Sequence, residues 1–286
     1  MRDPTRVLVV ALVAVVTLAV AVGVVLWSGA KEPDSDPPTE TVQLFPPAEQ
    51  WAGVRWSRIE QAVLNVPGAS LQGVSSHGSW IVAWGETPVP DPAAEGGATS
   101  VAVVWTSRGG LAWEQHELRL VTGERLLPQN LAVGPAGYLA YAFRGPGDRS
   151  GLVAVSKDAE HWVEAGRLPF DAEGLLAATA TGFVAVGLRA GEPTVLTTTD
   201  GAAWEQVTVP ARDGLFELSD VRRTTDGFLV AGRVQRARDW EGVLWRSGPG
   251  GRDDLGANSV FSSPDRGVAV VRTVPFAGGI FAMGSA

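Results

Sequence analysis

The chain has 286 residues, 35 of them glycine and 11 tryptophan, no cysteine, and a formal charge of -8. Without a thiol there is no disulfide framework, no thiolate nucleophile and no acceptor for an N-terminal lipid. The acidic balance, with no run of Lys and Arg, speaks against a nucleic-acid surface and against docking on anionic lipid.

Val7 to Trp27 is uncharged and almost entirely Val, Ala and Leu, and as a helix it would be ~31 Å long, enough to cross a hydrocarbon core. Arg2 and Arg6 precede it and Glu32, Asp34 and Asp36 follow, so the positive-inside bias places the N-terminus in the cytoplasm. Residues 1–6 then form a cytoplasmic stub, 7–27 a transmembrane helix, 28–50 a Pro-rich acidic linker, and 51–286 one extracytoplasmic domain held at the cell membrane. Ser28-Gly29-Ala30 carries small residues where a signal peptidase reads, which makes secretion after cleavage at Ala30 the alternative.

Two phrases recur in the exported region. One is an apolar strand ending in Ser or Thr, a turn, then Trp: Thr106 to Trp113, Ser156 to Trp162 and Thr198 to Trp204. The other is an aromatic leading an apolar run, at Trp80, Tyr138, Phe183 and Phe228, with a fainter copy at Gly267 to Val271. The runs lack a polar face and fit second strands buried on both sides, each followed by a third strand at Val101 to Trp105, Leu152 to Val155, Thr194 to Thr197 and Val243 to Trp245. The spacing predicts an all-β protein, a β-propeller of about five blades, or six if one copy has been merged. Trp56 stands at a box position with no preceding strand, so residues around Trp51 to Ile59 are expected to close the ring as the outer strand of the last blade.

The boxes resemble the Asp-box, or BNR, repeats of sialidase-like propellers, whose pattern is Ser or Thr, any residue, Asp, any residue, Gly, two residues, Trp. Thr106 and Trp113 keep that spacing with Arg108 in the Asp position; Ser156, Asp158 and Trp162, and Thr198, Asp200 and Trp204, are one residue shorter; the copy after Trp245 has degenerated. The resemblance implies the fold. The box carboxylates read as turn caps that accept hydrogen bonds from main-chain amides, with glycine relieving a left-handed position.

No constellation of residues announces a chemistry, and no cofactor or metal is expected. His77, His116 and His161 are spread one per repeat, Asp253, Asp254 and Asp265 fit a solvated loop, and Tyr138 and Tyr141, the only tyrosines, fall in a strand expected to be buried. Arg144, Arg189, Arg233 and Arg272 follow equivalent strands and form the candidate binding mouth, with the Glu86 to Ser100 segment as a long loop on the same face. The resulting expectation is a noncatalytic membrane-anchored scaffold, not an enzyme, that binds a protein partner such as a membrane complex. The alternative is a glycan-binding protein or sialidase-like glycoside hydrolase.

Overall fold

In this computed structural model the described residues are 66–93, 97–145, 151–171, 174–210, 212–237 and 239–248, with strands at 251–254, 269–276 and 279–285. All regular structure among them is β. No helix among the described residues is long and apolar enough to cross a membrane. The segment 7–27, the linker 28–50 and the closing strand expected near Trp51 to Ile59 lie outside the described residues.

The strands form antiparallel meanders in chain order. The first sheet is β1 (Ser70–His77), β2 (Trp80–Pro90), β3 (Ala98–Arg108) and β4 (Trp113–Glu117); the second is β5 (Leu127–Gly134), β6 (Gly137–Phe143), β7 (Leu152–Ser156) and β8 (Val163–Arg167). The third is β9 (Gly174–Ala178), β10 (Phe183–Arg189), β11 (Glu192–Thr198) and β12 (Glu205–Val207); the fourth is β13 (Leu215–Arg223), β14 (Phe228–Arg236), β15 (Asp239–Gly248) and β16 (Gly251–Asp254). A hairpin of β17 (Ala269–Phe276) and β18 (Gly279–Ser285) follows. The first strands pack in succession, β1 on β5, β5 on β9, β9 on β13 and β13 on β17, so the sheets follow one another in a propeller-like manner.

Apolar side chains on both faces of the second and third strands hold neighbouring sheets together. Val82, Trp84 and Val104 meet Leu131, Tyr138 and Trp162 between sheets one and two; Leu139, Tyr141 and Val153 meet Leu176, Phe183 and Leu196 between sheets two and three. Val184, Val186 and Val195 meet Phe216, Val230 and Trp245 between sheets three and four. Each fully buried Leu, Val or Phe contributes ~1.5–3 kcal/mol, and two-sided burial is why these runs read as continuous apolar stretches.

Pairing corrects three expectations from the sequence. Val268 to Val271 overlaps the first strand β17, and the second strand of that hairpin is β18. Most of the Glu86 to Ser100 loop is strand, because β2 and β3 pair from Trp80↔Arg108 to Pro90↔Ala98. Trp80 is not the counterpart of Tyr138 and Phe183. Those two pair with Ser156 and Thr198, whereas Ser107 pairs with Ile81 and Trp80 stands where the other sheets have Gly137 and Gly182. Its ring is accordingly 42% exposed.

Four first strands carry a β-bulge at one place, set by distance to the hairpin corner: between Leu71 and Gly73, Pro128 and Asn130, Leu218 and Asp220, and Val270 and Arg272. The extra residue raises local twist and re-aims the next side chain. In β13 that side chain is Asp220, which is buried.

Candidate functional site

The turns after the third strands share one hydrogen-bond scheme. Ser156 Oγ accepts from the amides of Asp158 and Ala159 and donates to Asp158 Oδ1, which accepts from the amides of Glu160 and His161 at 2.9 and 2.8 Å. Thr198 and Asp200 repeat this with Gly201, Ala202 and Ala203. The indole Nε1 of Trp162 donates to Ala159 O, of Trp204 to Gly201 O, and of Trp113 to Gly110 O. This last bond sets the register of the first box, making Ser107 rather than Thr106 the equivalent of Ser156, with Gly109 in the Asp position. All three boxes then have one length. Thr106 is buried one place earlier, and Arg108 lies 5.7 Å from the Trp80 ring centroid. Without a carboxylate in this turn the Ser107 hydroxyl is buried with no partner. The left-handed position is Gly201 in one box but Ala159 (φ 66°) in another.

Asp158 also bonds the ring Nδ1 of His161 at 2.8 Å. The His161 amide, then its ring, hold the Asp158 carboxyl far below the usual carboxylate range, and the bond to Asp158 raises the His161 imidazole. A carboxyl whose pKa is depressed on folding stabilises above its unfolded pKa and loses that contribution as pH falls. Asp158→Ala is therefore expected to lower stability by ~1 kcal/mol at neutral pH. As pH falls through the His161 range the gap to the unsubstituted protein should first widen, because the protonated imidazole bonds Asp158 more strongly, and it should then narrow below about pH 3.9, as read from paired denaturation curves; a gap that still widens below that pH would contradict the assignment.

The expected arginine mouth is distributed over separate partners. Arg144 is 3.1 Å from Glu124 and also contacts Glu164 of the outer strand β8. Arg189 lies beside Asp171, whose carboxyl is lowered chiefly by the amides of Gly191 and Ala190 and then by that guanidinium. Arg272 pairs with Met283 in β17–β18, and its side chain lies outside the described residues. Tyr138 and Tyr141 are buried, at 5% and 0% exposure, and neither is available as a nucleophile. No group of three metal-ligating side chains occurs among the described residues.

Arg233 belongs to a separate polar group at that end of the fold, on the fourth sheet. Its Nε donates to Glu217 Oε2 at 2.8 Å, and its guanidinium carbon lies 4.1 Å above the Trp240 ring. The register explains the grouping: Glu217 pairs with Arg233, which pairs with Gly242, two residues beyond Trp240 on the same face. The opposite face carries Glu241, 3.6 Å from Arg236 and 3.8 Å from the buried Arg212. A cleft of about 380 Å³ opens between Asp213, Gly214, Gln235, Arg236 and Ala237. A carboxylate, a guanidinium and an indole on one face offer acceptors, donors and a flat apolar surface, which suits a ligand carrying hydroxyls around an apolar ring. Glu217 and Glu241 project from opposite faces and so do not form a facing carboxylate pair. The sequence reading singled out Arg233 but missed Glu217 and Trp240, whose only signal is cross-strand register.

No protein-family model and no curated protein matches the chain. Among solved structures, one describes the GH130 family of mannoside phosphorylases as containing glycoside hydrolases that target β-1,2 mannosidic linkages in Candida mannan; it is 14% identical, covering 63% of this chain and 68% of that one, with TM-score 0.37. A glycosyl hydrolase from Bacteroides ovatus is 15% identical, covering 70% and 76%, with TM-score 0.36. These findings correct the expectations of a noncatalytic scaffold and of a chain that is not an enzyme, since the neighbours are named as carbohydrate-active enzymes. With TM-scores below 0.5 these structures decide nothing about the site, which rests on this chain's own residues.

Proposed function

We propose that the protein is carbohydrate-directed, a five-bladed β-propeller that binds and cleaves a glycan at the end of the fold bearing Glu217, Arg233 and Trp240. The observation that carries the reading is the stacked Arg233–Trp240 pair with Glu217 on the same sheet face. Glu217 is the exposed carboxylate of that group, its side chain 54% exposed, and is the residue placed to exchange a proton with a ligand. In the same proposal the ring closes through residues around Trp51 to Ile59 beside the two-stranded last sheet, and the apolar stretch from Val7 holds the domain outside the cytoplasmic membrane. The repeated box turns support a kinship with Asp-box propellers.

The test is a panel of neutral and acidic oligosaccharides offered to the full-length protein in detergent, with binding read by calorimetry and cleavage by released reducing ends. Trp240→Ala is expected to weaken binding at least tenfold, and Glu217→Gln to lower turnover by ~10²–10⁴ while leaving binding within a few fold. A panel with no ligand, or a Glu217→Gln protein that turns over normally, would end this reading.

A further inference from the structure

The opposite end of the fold carries an unusual contact. Arg223, at the end of β13, places Nη1 3.1 Å from Nδ1 of His77, at the end of β1. The two strands belong to the fourth and first sheets, with the β17–β18 hairpin as the remaining sheet. The corners of the first strands gather at this end: Ser75 Oγ of β1 lies 3.5 Å from the Val133 amide of β5, and Gly134 abuts Gly182 and Phe183 of the third sheet.

Arg223 is not matched to a carboxylate among the described residues as the arginines at the Glu217 end are. There Arg144, Arg233 and Arg236 each meet a glutamate. Here the carboxylates on the neighbouring chain are committed elsewhere: Asp220 to Thr273 and Arg222, Asp226 to the Thr224 hydroxyl. Among the described residues Arg223 meets an imidazole instead of a carboxylate. Beside His77 across the hairpin corner is Trp80, 42% exposed, with Arg108 lying 5.7 Å from its ring centroid. Two guanidiniums, an imidazole and an open indole thus face solvent in a chain whose net charge is -8.

We propose that His77 and Arg223 form an oxyanion-binding pair, taking a carboxylate or phosphate group of a ligand whose apolar part lies on Trp80. In this contact the imidazole presents a lone pair to the guanidinium. An oxyanion between them would accept from Arg223 and from a protonated His77, replacing one bond from a cation to a neutral imidazole by two in which cationic donors meet an anionic acceptor. Burial and Arg223 hold the His77 pKa down, and the bound anion should raise it. The site stands apart from Glu217 and does not depend on the sugar reading.

The experiment titrates the full-length protein in detergent with inorganic phosphate and, separately, with glucuronate, following the imidazole resonances. The chain has three histidines, and His77→Gln assigns the relevant one. A saturable shift of the His77 signal is expected, its midpoint raised at least tenfold in Arg223→Gln and unchanged in Arg189→Gln. Phosphate saturating where glucuronate does not identifies a phosphate ligand, and the converse a carboxylate. No saturable shift with either probe, or an equal one in Arg223→Gln, overturns the proposal. Should Arg223→Gln not fold, Arg223→Lys provides the comparison: a point charge without the planar fork should weaken the midpoint severalfold, and an unaltered midpoint counts against the pair.

Discussion

Trp162→Ala is expected to lower stability by ~4 kcal/mol, the largest effect of any box substitution. The Trp162 side chain is fully buried among Leu118, Leu120, Leu126 and Tyr138, where sheets one and two meet. Its ring lies 6.5 Å from that of Tyr138, and its Nε1 donates to Ala159 O at 2.8 Å. The main chain joins in, since Val121 N donates to Trp162 O at 2.9 Å and Leu120 bridges to it. Alanine would leave a ring-sized void in a shell pinned on both sides, so the site cannot collapse to fill it. Trp204 and Trp113 make the equivalent indole bond but are only half-buried. Their alanine variants should cost roughly half as much. Urea midpoints of the three variants check the order, and equal midpoints would show that the ring at 162 does not key the two sheets together. Against a total of about 5–15 kcal/mol, the first substitution removes a large share.

How much of this was legible in the sequence depends on whether the signal is local. The second and third strands were readable because burial on both faces leaves no polar alternation, as in Val184 to Val186. The boxes were readable as turns because Ser, Asp and Trp bond within one short loop. Their register was not. Thr106 and Ser107 are adjacent hydroxyls, and only the Trp113 bond to Gly110 O decides between them. Trp80 looked like a core aromatic until pairing placed it one residue early, at a corner where Gly137 and Gly182 stand in other sheets. The bulges left no trace, since Gln72, Gln129, Ser219 and Val271 have no one residue type common to all four and the irregularity exists only in the pairing. The site follows the same division: Arg233 could be picked out by its distance from Phe228, whereas Glu217 and Trp240 reach it from other strands.

Asp220→Ala is expected to cost ~3 kcal/mol and, unlike the tryptophan change, to disturb both ends of the fold. Asp220 is 3% exposed, and its Oδ2 accepts from the Thr273 amide at 2.8 Å and hydroxyl at 3.1 Å, while Oδ1 is 3.0 Å from Arg222 Nε. Thr273 is itself 2% exposed, so alanine would strand a buried amide and a buried hydroxyl. Arg222 is 44% exposed and can turn to water, which keeps the loss below that of a fully buried ion pair. Asp220→Asn retains an acceptor for Thr273 and should cost about half as much, whereas Thr273→Val removes only the hydroxyl bond, ~1 kcal/mol. The graded series separates the bond to the β17 main chain from side-chain packing, and three equal losses would refute that division. Because β13 carries Glu217 three residues before Asp220 and Arg223 three residues after it, loosening its hold on β17 should weaken binding at both proposed sites together. Hydrogen exchange is expected to show faster opening of Thr273 in the alanine variant, with the amide of Leu139 in the second sheet unaffected.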